Sequence, residues 1–299
     1  MPELPDVVVY IECLQRRIAG RPLEKVRLRS PFLVRTFEPP VTALEGKRVR
    51  GLRRLGKRIV WELEDELFMV FHLMIAGRFR WRERGAGVAG RNGLAAFDFP
   101  TGTVLMTEAS AKKRASLHVV RGEAGLAAHD PGGLEVLAGT PAEFAARLRR
   151  ENHTLKRSLT SPRLFSGIGN AFSDEILHAA CLSPLQWTSR LSDEQIERLH
   201  ASSVEVLDGW TRKLREEAGD RFPEKVTAFK DGMAVHGRFK QPCPRCGAPV
   251  QRIVYADNET NYCAPCQTGG KVLADRLLSQ LLKGDWPRSI EEWEERLGR

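Results

Sequence analysis

The spacing of apolar positions changes twice along this chain of 299 residues. Near the start, Tyr10, Ile11, Leu14 and Ile18 recur at helical spacing. Pro5 precedes them where a first helical turn tolerates proline, so a helix is expected over residues 5–18. From Leu23 to about Val120 the period becomes two. Val26–Arg29, Ile59–Leu63, Leu67–Phe71, Phe79–Trp81, Phe97–Phe99 and Val104–Met106 read as strands, with a mobile loop marked by Gly85, Gly87, Gly90 and Gly93. Short strands separated by turn signals predict a β-sandwich.

Residues 121–140, rich in Gly, Ala and Pro, read as a linker, and beyond them the period is helical. Phe144 and Leu148 begin one helix, Leu155 and Leu159 mark a second, and Asn170–Leu182 forms a third. Ser192 and Gln195 form a capping box that opens a long helix through Ile196, Leu199, Leu207, Trp210 and Leu214. A polar hairpin is expected at 236–267. Leu273, Leu277, Leu281 and a second capping box, Ser289 to Glu292, predict a helical tail. The fold class is α+β: an N-terminal helix and β-sandwich (1–130), a helical domain (141–235), a hairpin (236–267) and a helical extension (268–299).

Composition narrows the function. Lys and Arg number 47 against 38 Asp and Glu, a net charge of +9, which favours a polyanionic partner, nucleic acid before membrane surface. No apolar run reaches the roughly 20 residues that span a bilayer. The N-terminus lacks the basic and apolar regions of a secretory signal. Cys243, Cys246, Cys263 and Cys266 form two Cys-x-x-Cys pairs sixteen residues apart. That spacing suits four thiolates around one structural Zn²⁺ in a zinc-ribbon hairpin. Cys13 and Cys181 are then expected as buried thiols in a reducing cytosol.

Candidate chemistry sits elsewhere. If Met1 is removed, Pro2 presents a secondary α-amine, and such amines titrate near 8, well below lysine. Attack on an aldehyde-like carbon would give an iminium, with Glu3 as proton donor or acceptor. A solvated terminus ahead of a proline-initiated helix accounts for the same residues. Lys57 lies at a turn with Arg53, Arg54 and Arg58, suited to phosphate contact or simply solvated. His72 ends a strand before an apolar tip with Met74 and Ile75, a wedge for stacked bases or an ordinary turn. Gly167-Ile168-Gly169-Asn170 joins two helices, and its N–H groups with Lys156 suit an anion. Many helix pairs are joined the same way.

Together these motifs, in this order from Pro2 to Gln267, resemble the formamidopyrimidine-DNA glycosylase / endonuclease VIII family of base-excision repair enzymes. The resemblance implies a bifunctional DNA glycosylase and abasic-site lyase. Pro2 would be the Schiff-base nucleophile, Glu3 its acid/base partner, and Lys57 a phosphate contact that assists elimination. It implies DNA contacts for His72, Ile75 and Arg114, and a helix-two-turns-helix element made by Lys156, Gly169, Asn170 and Glu175. Val235-His236-Gly237-Arg238 is similar to the family's lead into its zinc finger. The implied partner is double-stranded DNA with damaged or abasic sites, met by a cytoplasmic, nucleoid-associated monomer without membrane contact.

The sequence departs from the family in places. Asn258 stands at the hairpin-tip position where arginine is usual, Ile75 where methionine is, and Asp6 where glutamate is common. No aromatic residue accompanies Arg114, residues 219–234 lack the lesion-covering loop sequence, and the tail is long. A damage-binding protein without turnover on the same scaffold, and a zinc-ribbon RNA or transcription factor, are the rival expectations.

Overall fold

The computed structural model describes residues 1–88, 90–255, 258–273 and Glu292. The expected tail helix, with Leu277, Leu281 and the Ser289 cap, lies outside the described residues apart from Glu292. The chain divides into two compact units, Met1–Gly133 with Gly209–Ala228, and Leu134–Asp208 with Phe229 onward.

In the first unit, helix α1 (Leu4–Ile18) is followed by strands β1 (Lys25–Leu28), β2 (Val49–Leu55), β3 (Arg58–Leu63), β4 (Leu67–His72), β5 (Gly77–Arg82), β6 (Gly93–Phe99), β7 (Gly102–Glu108) and β8 (Ser116–Arg121). They form two four-stranded sheets, in orders β1-β6-β7-β5 and β2-β3-β4-β8, with every pair antiparallel. This is the expected sandwich. Its core holds Trp61, Phe71, Phe79, Phe97 and Phe99 with Tyr10 and Leu14 of α1, and Trp61 packs on Phe71 at 4.8 Å between ring centres.

The strand periodicity also explains a helix. Along β4, Leu67, Met69 and Phe71 face the main core, while Phe68 and Val70 face the other way and join Val60 and Leu126. Leu126 belongs to helix α2 (Gly122–Ala127), inside the segment expected to be a linker. The apolar back of the sheet needed a cover, and that requirement is invisible in the Gly/Ala-rich sequence.

Two strands lie outside the expected set. β2 is an edge strand whose arginines interrupt its apolar positions, and charge is common on edges. Its Arg53 pairs with Glu62 at 2.6 Å and Glu123 at 2.5 Å. β8 carries Leu117 and Val119 inward among polar neighbours. Gly93, expected in the loop, opens β6.

Residues 209–228 group with the first unit, although the linear pattern reads them with the helical domain. Arg215 pairs with Glu12 at 2.7 Å, Phe222 packs 5.7 Å from Tyr10, and Glu224 bonds Arg82.

The second unit contains α3 (Pro141–Arg149), α4 (Leu155–Thr160), α5 (Asn170–Ala179) and the start of α6 (Asp193–Ala218). The Ser192 cap forms as expected: Ser192 Oγ accepts from Gln195 N–H at 3.2 Å and Gln195 Oε1 from Ser192 N–H at 3.1 Å. α5 stops before Leu182 because Cys181 turns left-handed, at φ +54°, the common end of a helix. Strands β9 (Gln251–Tyr255) and β10 (Asn258–Tyr262) form the expected hairpin, followed by α7 (Ala264–Thr268).

Candidate active site and metal centre

Glu3 caps α1, and its N–H donates to Asp6 Oδ2 at 3.0 Å. Asp6, the shortened carboxylate, is thereby used to close the helix start. Pro2, Glu3 and Asp6 are all buried. Burial is the first cause that lowers the α-amine of Met1 from its ordinary value. Arg78 and Lys57 lower it further, while Glu3 and Asp6 oppose them. The chain start, Glu3, Asp6, Lys57 and Arg78 therefore share one electrostatic neighbourhood.

The sheet β2-β3-β4-β8 gathers the other candidates at one end. Leu55 pairs with Arg58, Arg58 with His72, and His72 with Ser116, so these residues form one row across four strands. Beyond that row lie the Gly56-Lys57 turn, the Leu73–Ala76 tip and the Lys112–Ala115 loop. Gly56, at φ +63°, is the glycine a two-residue hairpin of this kind needs at its first central position. It is what places Lys57 at the turn.

His72 is held well below its ordinary value, at about 4, chiefly by burial and then by Arg58, Lys57 and His118. It is a neutral imidazole near pH 7. After it, Leu73 is buried and Ile75 is 62 % exposed. Gly77 donates to Leu73 O at 2.8 Å, and a Cβ on Gly77 would lie 2.1 Å from that oxygen. The glycine lets the tip close, and closure pushes Ile75 outward.

Two residues that sequence reasoning missed, Arg78 and Glu108, support this end together with the backbone of Met74. Arg78 donates to Ile75 O at 3.0 Å and Gly77 O at 2.6 Å, and bonds Val226 O. Glu108, buried in β7, accepts from Arg114 N–H at 3.0 Å and Ala115 N–H at 3.1 Å, which fixes the basic loop while Arg114's side chain stays exposed. Met74 takes a left-handed φ of +53°. Nothing in a single sequence marks these as special, since each acts through backbone geometry.

In the second unit, Gly167 at φ +79° turns the chain into α5, where Gly169 is the N-cap. Asn170 donates its side-chain N–H to Glu259 O at 2.9 Å. Lys156 lies beside this turn as expected. Its ammonium, however, bonds Asn170 O at 2.7 Å and Asp174 Oδ1 at 2.5 Å, so its charge is already matched by a carboxylate. Glu175 accepts from Ala234, Val235 and His236 N–H at 2.6 to 2.9 Å. Asn258 opens β10 and pairs with Tyr255.

The Sγ atoms of Cys243, Cys246, Cys263 and Cys266 lie within 4.8 Å of one another. A tetrahedral zinc with bonds of about 2.3 Å needs sulfurs about 3.8 Å apart. Here Cys246 and Cys263 are 3.4 Å apart, and Cys243 and Cys266 4.0 Å, so the four residues fit the ion. His178 Nε2 lies 3.2 Å from Cys243 Sγ. A metal-bound thiolate has no proton, so the ring N–H is the donor. Cys13 is buried as expected, but Cys181 is exposed. It ends a helix facing Arg245, which contacts its sulfur and donates to His178 O at 3.1 Å.

Family models match this order of elements: the formamidopyrimidine-DNA glycosylase N-terminal domain over residues 1–122, that enzyme's H2TH domain over 134–213, and the zinc finger found in FPG and IleRS over 240–269. The chain belongs to the formamidopyrimidine-DNA glycosylase family. A formamidopyrimidine-DNA glycosylase of Geobacillus kaustophilus is 30 % identical over 285 residues, covering 89 % of this chain and 100 % of that protein. An uncharacterized formamidopyrimidine-DNA glycosylase-like protein of Mycobacterium tuberculosis is 40 % identical over 152 residues, covering 50 % of this chain and 94 % of that one. Among solved structures, Lactococcus lactis Fpg bound to DNA containing an oxidized pyrimidine aligns with a TM-score of 0.78 at 26 % identity, covering 89 % of this chain and 100 % of that one. The same protein with abasic-site DNA gives 0.77 at 25 %, covering 89 % and 99 %. The sandwich, H2TH region and four-cysteine finger of this glycosylase-family chain are thus the family's own architecture. Among the described residues, no helix is long and apolar enough to cross a membrane.

Proposed function

We propose that this DNA glycosylase also nicks DNA, removing a damaged base through an imine on Pro2 and cleaving by β-elimination. With Met1 removed, the Pro2 nitrogen attacks C1′ of the damaged nucleotide, and the bond from C1′ to the base breaks. Glu3 supplies the proton that opens the sugar. The resulting iminium withdraws electrons and acidifies the C2′ proton. Loss of that proton expels the 3′ phosphate, water hydrolyses the imine, and Lys57 stabilises the phosphate charge.

The observation that carries this reading is the placing of Pro2 and Glu3, both buried at the start of α1, in one electrostatic neighbourhood with Lys57. Burial above all, then the Arg78 and Lys57 charges, lower the α-amine at this chain start, and the neutral form of an amine is the nucleophile. The positive end of α1 adds to that effect. Removing the base from the stack costs a few kcal/mol, least at a damaged site.

In this reading His72, Ile75 and Arg114 meet DNA from the first unit, and Gly169, Asn170 and Asn258 from the second, with Lys156 bracing the turn through Asn170 O and Asp174. Domains 1–130, 141–235 and 236–267 serve catalysis, backbone grip and hairpin contact. One Zn²⁺ on the four cysteines holds the hairpin and makes no bond to substrate. The protein works as a cytoplasmic monomer on duplex DNA with damaged or abasic sites.

Borohydride added during turnover on abasic duplex tests the proposal. The wild type is expected to form a covalent protein–DNA adduct, and Pro2→Ala none. Binding without any adduct would leave a damage-binding protein in place of a lyase.

A further inference from the structure

Two phenylalanines of the first unit stand almost free of the protein: Phe32, 76 % exposed, and Phe37, 94 % exposed. They flank a segment that runs parallel to β8, with Val34 bridged to Leu117, Arg35 N–H donating to Leu117 O at 2.9 Å, and Thr36 Oγ1 accepting from Val119 N–H at 2.8 Å. This direction separates the two rings. Phe32 lies towards Ser116, the end of the sheet that carries Lys57, His72 and Arg114. Phe37 lies towards Arg121, next to the carboxylate of Glu38.

The backbone beneath Phe32 is fixed. Arg29 and Ser30 N–H groups both donate to Leu94 O, at 2.9 and 3.0 Å, and Leu33 is buried in the core. An exposed aromatic ring on a rigid turn, with exposed Arg35 on its own segment and Arg114 and Lys112 on the neighbouring loop, combines a stacking face with phosphate-seeking charge. That is the pairing used to hold unstacked nucleobases.

We propose that Phe32 stacks on a nucleobase left unpaired beside the lesion. The inference rests on the DNA reading above and extends it to a residue outside the resembled motifs. Because the backbone is already ordered, contact costs little beyond freezing one ring.

The probe is a duplex carrying a tetrahydrofuran abasic analogue opposite 2-aminopurine, titrated with full-length protein at several salt concentrations. Wild type is expected to bind and to change the 2-aminopurine emission. Phe32→Ala weakens binding roughly 5- to 150-fold, the range of one lost base–aromatic stack, and abolishes the emission change. Phe32→Trp retains both. The salt slope stays as in wild type for Phe32→Ala, whereas Arg114→Ala lowers it by about 1. Phe37→Ala behaves as wild type. Equal affinity and emission for Phe32→Ala and wild type overturn the inference while leaving the DNA reading intact. Failure of the wild type to bind the duplex overturns the DNA reading itself.

Discussion

Asp174 holds Lys156 in a buried ion pair, Oδ1 to Nζ 2.5 Å, with the aspartate side chain wholly inaccessible. Its second oxygen bonds His236 Nδ1 at 2.8 Å and Asn261 N–H at 3.1 Å. One carboxylate therefore joins α4, α5, the lead into the metal finger and β10. Removing it strands a half-buried ammonium, which costs about 3–5 kcal/mol where no partner replaces it. Asp174→Ala should lower stability by that order in urea unfolding, and Lys156→Met with Asp174→Leu should recover part of the loss. A single variant as stable as wild type would show the pair to be idle.

His72 makes stability depend on acid. Its folded value of about 4 lies below the ordinary 6.5, so below pH 6.5 the unfolded chain takes up a proton that the folded chain refuses. Stability is full above 6.5 and falls as pH drops towards 4, by at most the order of 3 kcal/mol from this residue. In His72→Gln the fall between pH 7 and 5 should be smaller. Unchanged pH dependence of the urea midpoint would exclude His72 as its source.

Hydrogen bonds to metal-bound ligands commonly change metal affinity 10- to 100-fold. His178→Phe keeps the ring volume but removes the donor to Cys243, so zinc should pass to a chelator faster and at lower chelator concentration. Equal transfer from variant and wild type would assign His178 to packing alone.

Glu3 and Lys57 should separate in kinetics. Glu3→Gln keeps the size of the side chain and loses its proton chemistry, so base release should slow by about 10²–10⁴ with affinity for abasic duplex little changed. Lys57→Ala should retain adduct trapping and slow strand nicking. A Glu3→Gln enzyme of normal rate would remove Glu3 from the mechanism.

Much of this was legible because it depends on local pattern. The alternation around Trp61 and Phe71 gave the sandwich, Ser192 and Gln195 the start of the long helix, and the cysteine spacing the metal site. The candidates Lys57, His72 and Arg114 were each readable, but their gathering at one end of the sheet was not. Register across β2, β3, β4 and β8 is a long-range property, and the three arginines of β2 interrupt its apolar period. Asp174 stayed hidden beside the more recognisable Glu175, because a buried carboxylate is identified by what surrounds it. Arg78 and Glu108 work on backbone groups, which no side-chain motif announces.

One consequence follows from α5, which sends Glu175 to the approach of the finger, Asp174 to β10 and His178 to a cysteine sulfur. The helix and the finger are a single piece of architecture, whereas Pro2, Glu3 and Lys57 belong to the other unit. If the proposed mechanism holds, metal starvation should therefore spare adduct formation at Pro2 and weaken the hold on DNA. A cell short of zinc would keep a competent scissor with no hand to steady the thread.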